Sequence, residues 1–183
     1  MSQSAWPVVA DVSGGACRRR ECAEAGYLVG RSSKRILAVA SGGGHWVQLL
    51  RLRPAFEGQR VAYVTVRDSY KADLDGEPFY VVNDATRWDK VGLVKMCLRL
   101  LWIILRERPS VIVSTGAAPG FFAIRFGKLI GARTIWLDSI ANVEQMSMTG
   151  ELVKKHADLW LTQWPHLAAD EGSDGPRHLG AVL

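Results

Sequence analysis

His45 is the side chain whose setting most plainly invites chemistry. Ser41 and three consecutive glycines, Gly42, Gly43 and Gly44, lead directly into it. Glycines let a backbone approach an anion closely, and the free N–H groups of a following helix point at that anion. An imidazole at this junction stands beside whatever the turn holds, and its ordinary pKa near neutrality suits proton transfer. Two further junctions offer related groups: Thr115-Gly116 running on to Gly120, and Asp138-Ser139. Taken alone, Gly-Gly-Gly-His is equally a tight turn carrying a surface histidine. Three such junctions delivered to one edge of a sheet make a site.

Other phosphate motifs fit poorly. A dinucleotide fingerprint needs a third glycine where Val47 stands, although Asp68 sits where a ribose-binding acid would. A P-loop needs Gly-Lys-Ser/Thr, and no such triplet occurs. No Asp-x-Asp pair is present, so no protein-bound divalent metal is expected.

The elements that must position these groups follow from the pattern. Ile36–Ala40 is an unbroken apolar run, read as a strand buried on both faces of a parallel sheet. A helix starts near Trp46 and ends close to Pro54. Further strands are expected at 60–66, 79–82, 110–115, 133–137 and 159–162, rich in β-branched and aromatic residues. Helices are expected at 90–108, at 121–130 closed by Gly131, and from about Val143 to His156. Residues 67–78 read as a loop. The alternation predicts an α/β, doubly wound parallel sheet with its ligand edge at the strand carboxyl ends.

At 183 residues the chain is large enough for one domain, and 48% hydrophobic with 22% charged residues excludes wholesale disorder. A net charge of +5 suits phosphates or a lipid surface as partner, and no nucleic-acid signature accompanies it. The three cysteines, Cys17, Cys22 and Cys97, are an odd number without Cys-x-x-Cys spacing and read as reduced thiols in a cytoplasmic protein. Residues 1–34, with Arg18-Arg19-Arg20, show no sustained period and no signal-peptide core, and read as a poorly ordered basic extension to the domain at 35–183.

The helix at 90–108 carries a second feature. Lys95, Arg99 and Arg106 fall on one narrow stripe beside Trp102. Charge interrupts it too often for a membrane span of ~20 apolar residues. A basic stripe flanked by Trp and Leu can lie in a lipid interface. The same pattern also describes a helix packed on the sheet with one wet face.

Several short motifs occur together in one order: Ser41-Gly-Gly-Gly-His45, Ser114-Thr-Gly116 through Pro119-Gly120, Asp138-Ser139, Ser147-Met-Thr-Gly150, and His156-Ala-Asp158 followed by Gln163-Trp-Pro165. In this the chain resembles the acceptor-side subunits of two-component glycosyltransferases over roughly residues 34 to 183. These include the eukaryotic membrane-anchoring subunit that helps add the second N-acetylglucosamine to a dolichol-linked sugar. They also include D-type subunits of bacterial exopolysaccharide and capsule synthesis, glucuronosyltransferases among them.

The resemblance implies the N-terminal, acceptor-binding half of a GT-B glycosyltransferase. It implies inverting transfer from a UDP-sugar to a polyprenyl-diphosphate-linked saccharide, with no cofactor beyond the co-substrate. His45 and Asp138 are the implied catalytic pair, although relatives often carry Glu at the second position. Ser41, Gly42, Gly43, Gly44, Thr115, Gly116, Gly120, Ser139 and Glu144 are the implied substrate contacts. The donor half is expected on a smaller partner chain, against which the apolar stretch Leu179–Leu183 would pack. Membrane contact then falls to Lys95, Arg99, Trp102 and Arg106, which places the complex on the cytoplasmic face of the plasma membrane. The non-catalytic alternative is a partner that only recruits a separate catalytic subunit to the membrane.

Overall fold

The computed structural model describes residues 33–86, 88–170 and 172–182. The expected extension, with Cys17 and Cys22, lies outside the described residues up to residue 32. Seven strands form one parallel sheet in the order β3-β2-β1-β4-β5-β6-β7. They are β1 (Arg35–Val39), β2 (Arg60–Thr65), β3 (Phe79–Val81), β4 (Val111–Ser114), β5 (Arg133–Leu137), β6 (Leu159–Thr162) and β7 (Arg177–His178). The helices are α1 (Gly44–Arg51), α2 (Lys90–Glu107), α3 (Ala117–Leu129) and α4 (Met148–Val153). Strand order reverses between β1 and β4, the switch point at which open α/β sheets form their ligand crevice. The turns after these two strands carry His45 and Gly116.

Both sheet faces are buried, as the unbroken apolar runs require. Leu37, Val39, Ala62, Val64, Ile112 and Trp136 point to one side, where Met96, Leu100, Ile103 and Ile104 of α2, Ala123 and Ile124 of α3, and Val153 of α4 cover them. Ile36, Ala38, Ala40, Val61, Tyr63 and Val113 point to the other, against Trp46 and Leu49 of α1 and Phe56. The alternation along each strand thus separates two cores.

Four elements differ from expectation, the first being the stretch 67–78, read as a loop, in which Asp68–Asp73 form a 3-10 helix. α3 starts at Ala117 rather than Phe121, because Pro119 falls in its first turn, where no N–H is needed. The stretch Ala117–Gly120 is therefore the start of a helix and not an open turn. α4 spans six residues instead of fourteen: Ser147 caps it, its side chain accepting from the Gly150 N–H at 2.9 Å. The residues before Ser147 wrap around Asp138 instead. A short strand, β7, follows the polar tail and was not legible, since two residues show no period.

Candidate active site at the carboxyl edge of the sheet

The backbone before His45 turns sharply at Gly43, which has φ 63 and begins α1 without a side-chain cap. Only glycine takes that conformation without strain. The N–H groups of Gly44 and His45 come first in the helix and have no earlier carbonyl to bond. The imidazole is held on its inner side, with Nδ1 3.0 Å from Ser41 Oγ. The Thr115 hydroxyl donates to the His45 carbonyl at 2.7 Å and fastens the start of α1 to the end of β4. The opposite ring edge rests on Gly116, where a Cβ would lie 2.5 Å from Nε2. Burial pushes the His45 pKa below its ordinary 6.5, and the Asp138 carboxylate raises it in partial compensation. A neutral imidazole bonded at Nδ1 can present Nε2 as a base.

Asp138 itself is 2% exposed. Its carboxylate accepts from Trp136 Nε1 (3.2 Å), Asn142 Nδ2 (3.2 Å), the Ser147 N–H (2.7 Å) and the Ser147 hydroxyl. Those donors occupy both oxygens, so the group holds the β5–α4 loop closed and acts on His45 through its charge. Ser139 is likewise committed, accepting from Gln48 Nε2 and the Ala141 N–H, both at 3.3 Å. Gly120 lies between α3 and the sheet, where a Cβ would meet Ser114 Oγ at 1.9 Å and Trp136 at 3.3 Å. Its role in this geometry is close packing. Glu144 is exposed on the loop that follows. Gly43 and Gly44 are exposed, whereas Gly42 is half-buried.

Four residues outside the expected set complete the site. Arg67 and Tyr70, from the loop after β2, close over the glycines: a Cβ on Gly42 would meet Arg67 Nε at 3.2 Å, and Tyr70 OH accepts from the Gly43 N–H at 2.8 Å. Tyr70 is stacked on Trp46, ring centroids 5.1 Å apart. Gln48 and Gln163 form a buried joint behind His45. Gln163 Nε2 donates to Gln48 Oε1 (2.6 Å) and to the Asp138 carbonyl (2.8 Å), while its Oε1 accepts from the Val182 N–H (2.9 Å). The signal for Gln48 was its place three residues after His45, which turns it toward the core side of α1.

Residues 82–178 match the family described as oligosaccharide biosynthesis protein Alg14 like. The chain belongs to this family. Among curated relatives, the UDP-N-acetylglucosamine transferase subunit ALG14 of Yarrowia lipolytica is 27% identical across 78% of this chain and 79% of its own. Among solved structures, MurG of Acinetobacter baumannii superposes with a TM-score of 0.63 at 12% identity, over 81% of this chain and 45% of that one. UDP-N-acetylglucosamine 2-epimerase of Rickettsia bellii gives 0.62 at 10% identity, over 82% and 45%. This chain thus spans less than half the length of those two folds. At such identities the likeness carries the fold: a Rossmann-like, doubly wound sheet of the GT-B kind, as the alternation of elements implied. In the Alg14-like chain the family match begins after β3, so the glycine turn and His45 lie before it.

Proposed function

We propose that the chain is the acceptor-side subunit of a two-chain, UDP-sugar-dependent glycosyltransferase acting on a polyprenyl-diphosphate-linked saccharide. The observation that carries this reading is His45, held by Ser41 at the crevice of a GT-B-type sheet in an Alg14-like chain. In the reaction, Nε2 takes the proton of the acceptor hydroxyl as that oxygen attacks the anomeric carbon and UDP departs with the bonding pair. The glycine turn and Arg67 face the acceptor's diphosphate. The donor is held mainly by a smaller partner chain. UDP-N-acetylglucosamine is the donor that the Yarrowia relative's name supports, and UDP-glucuronate the one that the resemblance to exopolysaccharide subunits supports.

Membrane contact belongs to the outer face of α2. Val91, Val94, Leu98, Leu101 and Leu105 form an apolar stripe at helical spacing, exposed by 38% to 67%. Beside it, Arg99 and Arg106 lie over the Trp102 ring at 4.7 and 5.3 Å, and Lys95 continues the cationic row. No helix among the described residues is long and apolar enough to cross a membrane.

A second reading, a recruiting subunit without chemistry of its own, is favoured by one observation. Thr115, Asp138 and Ser139 all spend their polar groups on their own chain. A His45→Ala assay of the purified pair, with each donor supplied in turn, separates the two. General-base loss predicts a fall in kcat of about a hundredfold or more with complex formation and vesicle binding intact. Unchanged turnover would assign the chemistry to the partner.

A further inference from the structure

The opposite edge of the sheet carries an unassigned cluster of cations. Arg35 and Arg60 are the first residues of β1 and β2 and are register partners. Neighbouring strands lie about 4.8 Å apart, so two like charges start side by side. Arg106, in the last turn of α2, joins them around an open concavity of about 350 Å³ whose fourth wall is Glu107. Glu107 is one carboxylate against three cations, and it also accepts the Tyr80 hydroxyl, so the cluster keeps a surplus of positive charge. Among the described residues no ion pair involves Arg35, Arg60 or Arg106.

The cluster is anchored where anchoring matters. The Arg35 carbonyl accepts from the Ser110 N–H at 2.9 Å and from the Ser110 hydroxyl at 3.2 Å, and the Arg60 N–H donates to the Lys34 carbonyl at 3.1 Å. Arg106 is oriented by the Trp102 ring and lies beside the Tyr80 hydroxyl. Placing three guanidinium groups around a single carboxylate leaves like charges facing one another, and a bound anion would offset that repulsion. Planar, forked guanidinium donors match phosphate oxygens best.

The geometry points to a phosphate-binding site formed by Arg35, Arg60 and Arg106, separate from the glycine turn by the length of β1, roughly 16 Å. Its ligand carries a phosphomonoester or diphosphate, either on a lipid headgroup or on a soluble metabolite. A lipid source is compatible with position, because Arg106 also borders the exposed face of α2. The site does not depend on the activity proposed above.

Site-resolved NMR on the full chain tests it, with inorganic pyrophosphate as the probe. Resonances of Arg35, Arg60 and Arg106 should shift together on titration, while those of Gly43 and Gly44 report the other edge independently. In Arg35→Gln/Arg60→Gln the dissociation constant read at Arg106 should rise by about tenfold or more, with thermal stability equal or higher, and the double Lys variant should recover part of the binding. A second arm measures flotation with phosphatidylcholine vesicles containing phosphatidic acid, keeping Lys95 and Arg99 intact. Loss in both arms identifies a headgroup phosphate, and loss in the titration alone identifies a soluble one. Arginine resonances that stay still in the wild type, or an unchanged constant in the Gln variant, overturn the proposal.

Discussion

The His45 ring and Gly116 occupy one space: a Cβ on Gly116 would fall 2.4 Å from Cδ2 and 2.5 Å from Nε2. Gly116 also has φ 139, which side-chain-bearing residues avoid, and Ala117 after it has φ 64. Gly116 takes its conformation freely, whereas Ala117 holds strain of order 1–3 kcal/mol where the imidazole meets the crevice. Gly116→Ala should cost about 2 kcal/mol of stability and drive the ring from its seat. Urea denaturation measures the first effect. A changed imidazole tautomer or pKa, read by nitrogen NMR, measures the second.

Acid should weaken the fold through His45. Its folded-state pKa lies below the ordinary 6.5 because of burial, so the unfolded chain binds the proton more tightly. The contribution is present above 6.5, declines as pH falls through it, and levels off once the folded pKa is passed. His45→Gln should lose this segment of the stability-versus-pH curve. Identical curves for the variant and wild type would show that the ring is not held neutral.

Asp138 separates a structural from a chemical carboxylate. Removing it in Asp138→Ala leaves the Trp136 indole, the Asn142 amide and two Ser147 donors without their acceptor, a loss of about 3 kcal/mol or more. Asp138→Asn keeps the volume and one acceptor oxygen and should cost less. If Asn were tolerated thermally and yet abolished turnover in the reconstituted pair, the carboxylate would be catalytic after all.

Neutralising Lys95, Arg99 and Arg106 together should weaken binding to anionic vesicles by about 3 kcal/mol, near a hundredfold, with little change in Tm because all three are exposed. Wild-type binding should also fall with added salt. A triple variant that binds vesicles as well as wild type would remove α2 from the membrane face. One that instead melts early would make the row part of the fold.

Replacing Gln163 by Leu should unseat α1 as a whole. It strands the Val182 N–H and leaves the Gln48 amide oxygen with only the Ile140 N–H, at 3.3 Å. The expected cost is about 2 kcal/mol, measurable by denaturation. A kcat loss that exceeds the stability loss would show that this joint sets the position of His45.

The sheet and the place of His45 were legible in the sequence because the signals are local. Five apolar residues, then Ser41, three glycines and a histidine, read as a buried strand entering a turn and a helix. All six of the expected strands are found within one residue at each end, and the ends of α2 are likewise within one residue, since period and capping are decided by neighbours a few positions away. The uses of the polar groups were decided only in three dimensions. Asp138 looks the same in sequence whether its charge faces a substrate or gathers four donors from its own chain. Gly120 looks the same in a phosphate turn as in a helix pressed on Ser114 and Trp136. Gln48 and Gln163 meet across 115 positions, and Arg35 meets Arg60, because β1 lies between β2 and β4. Strand order is set by how the two cores close over the whole chain, and no periodicity of a single segment carries that.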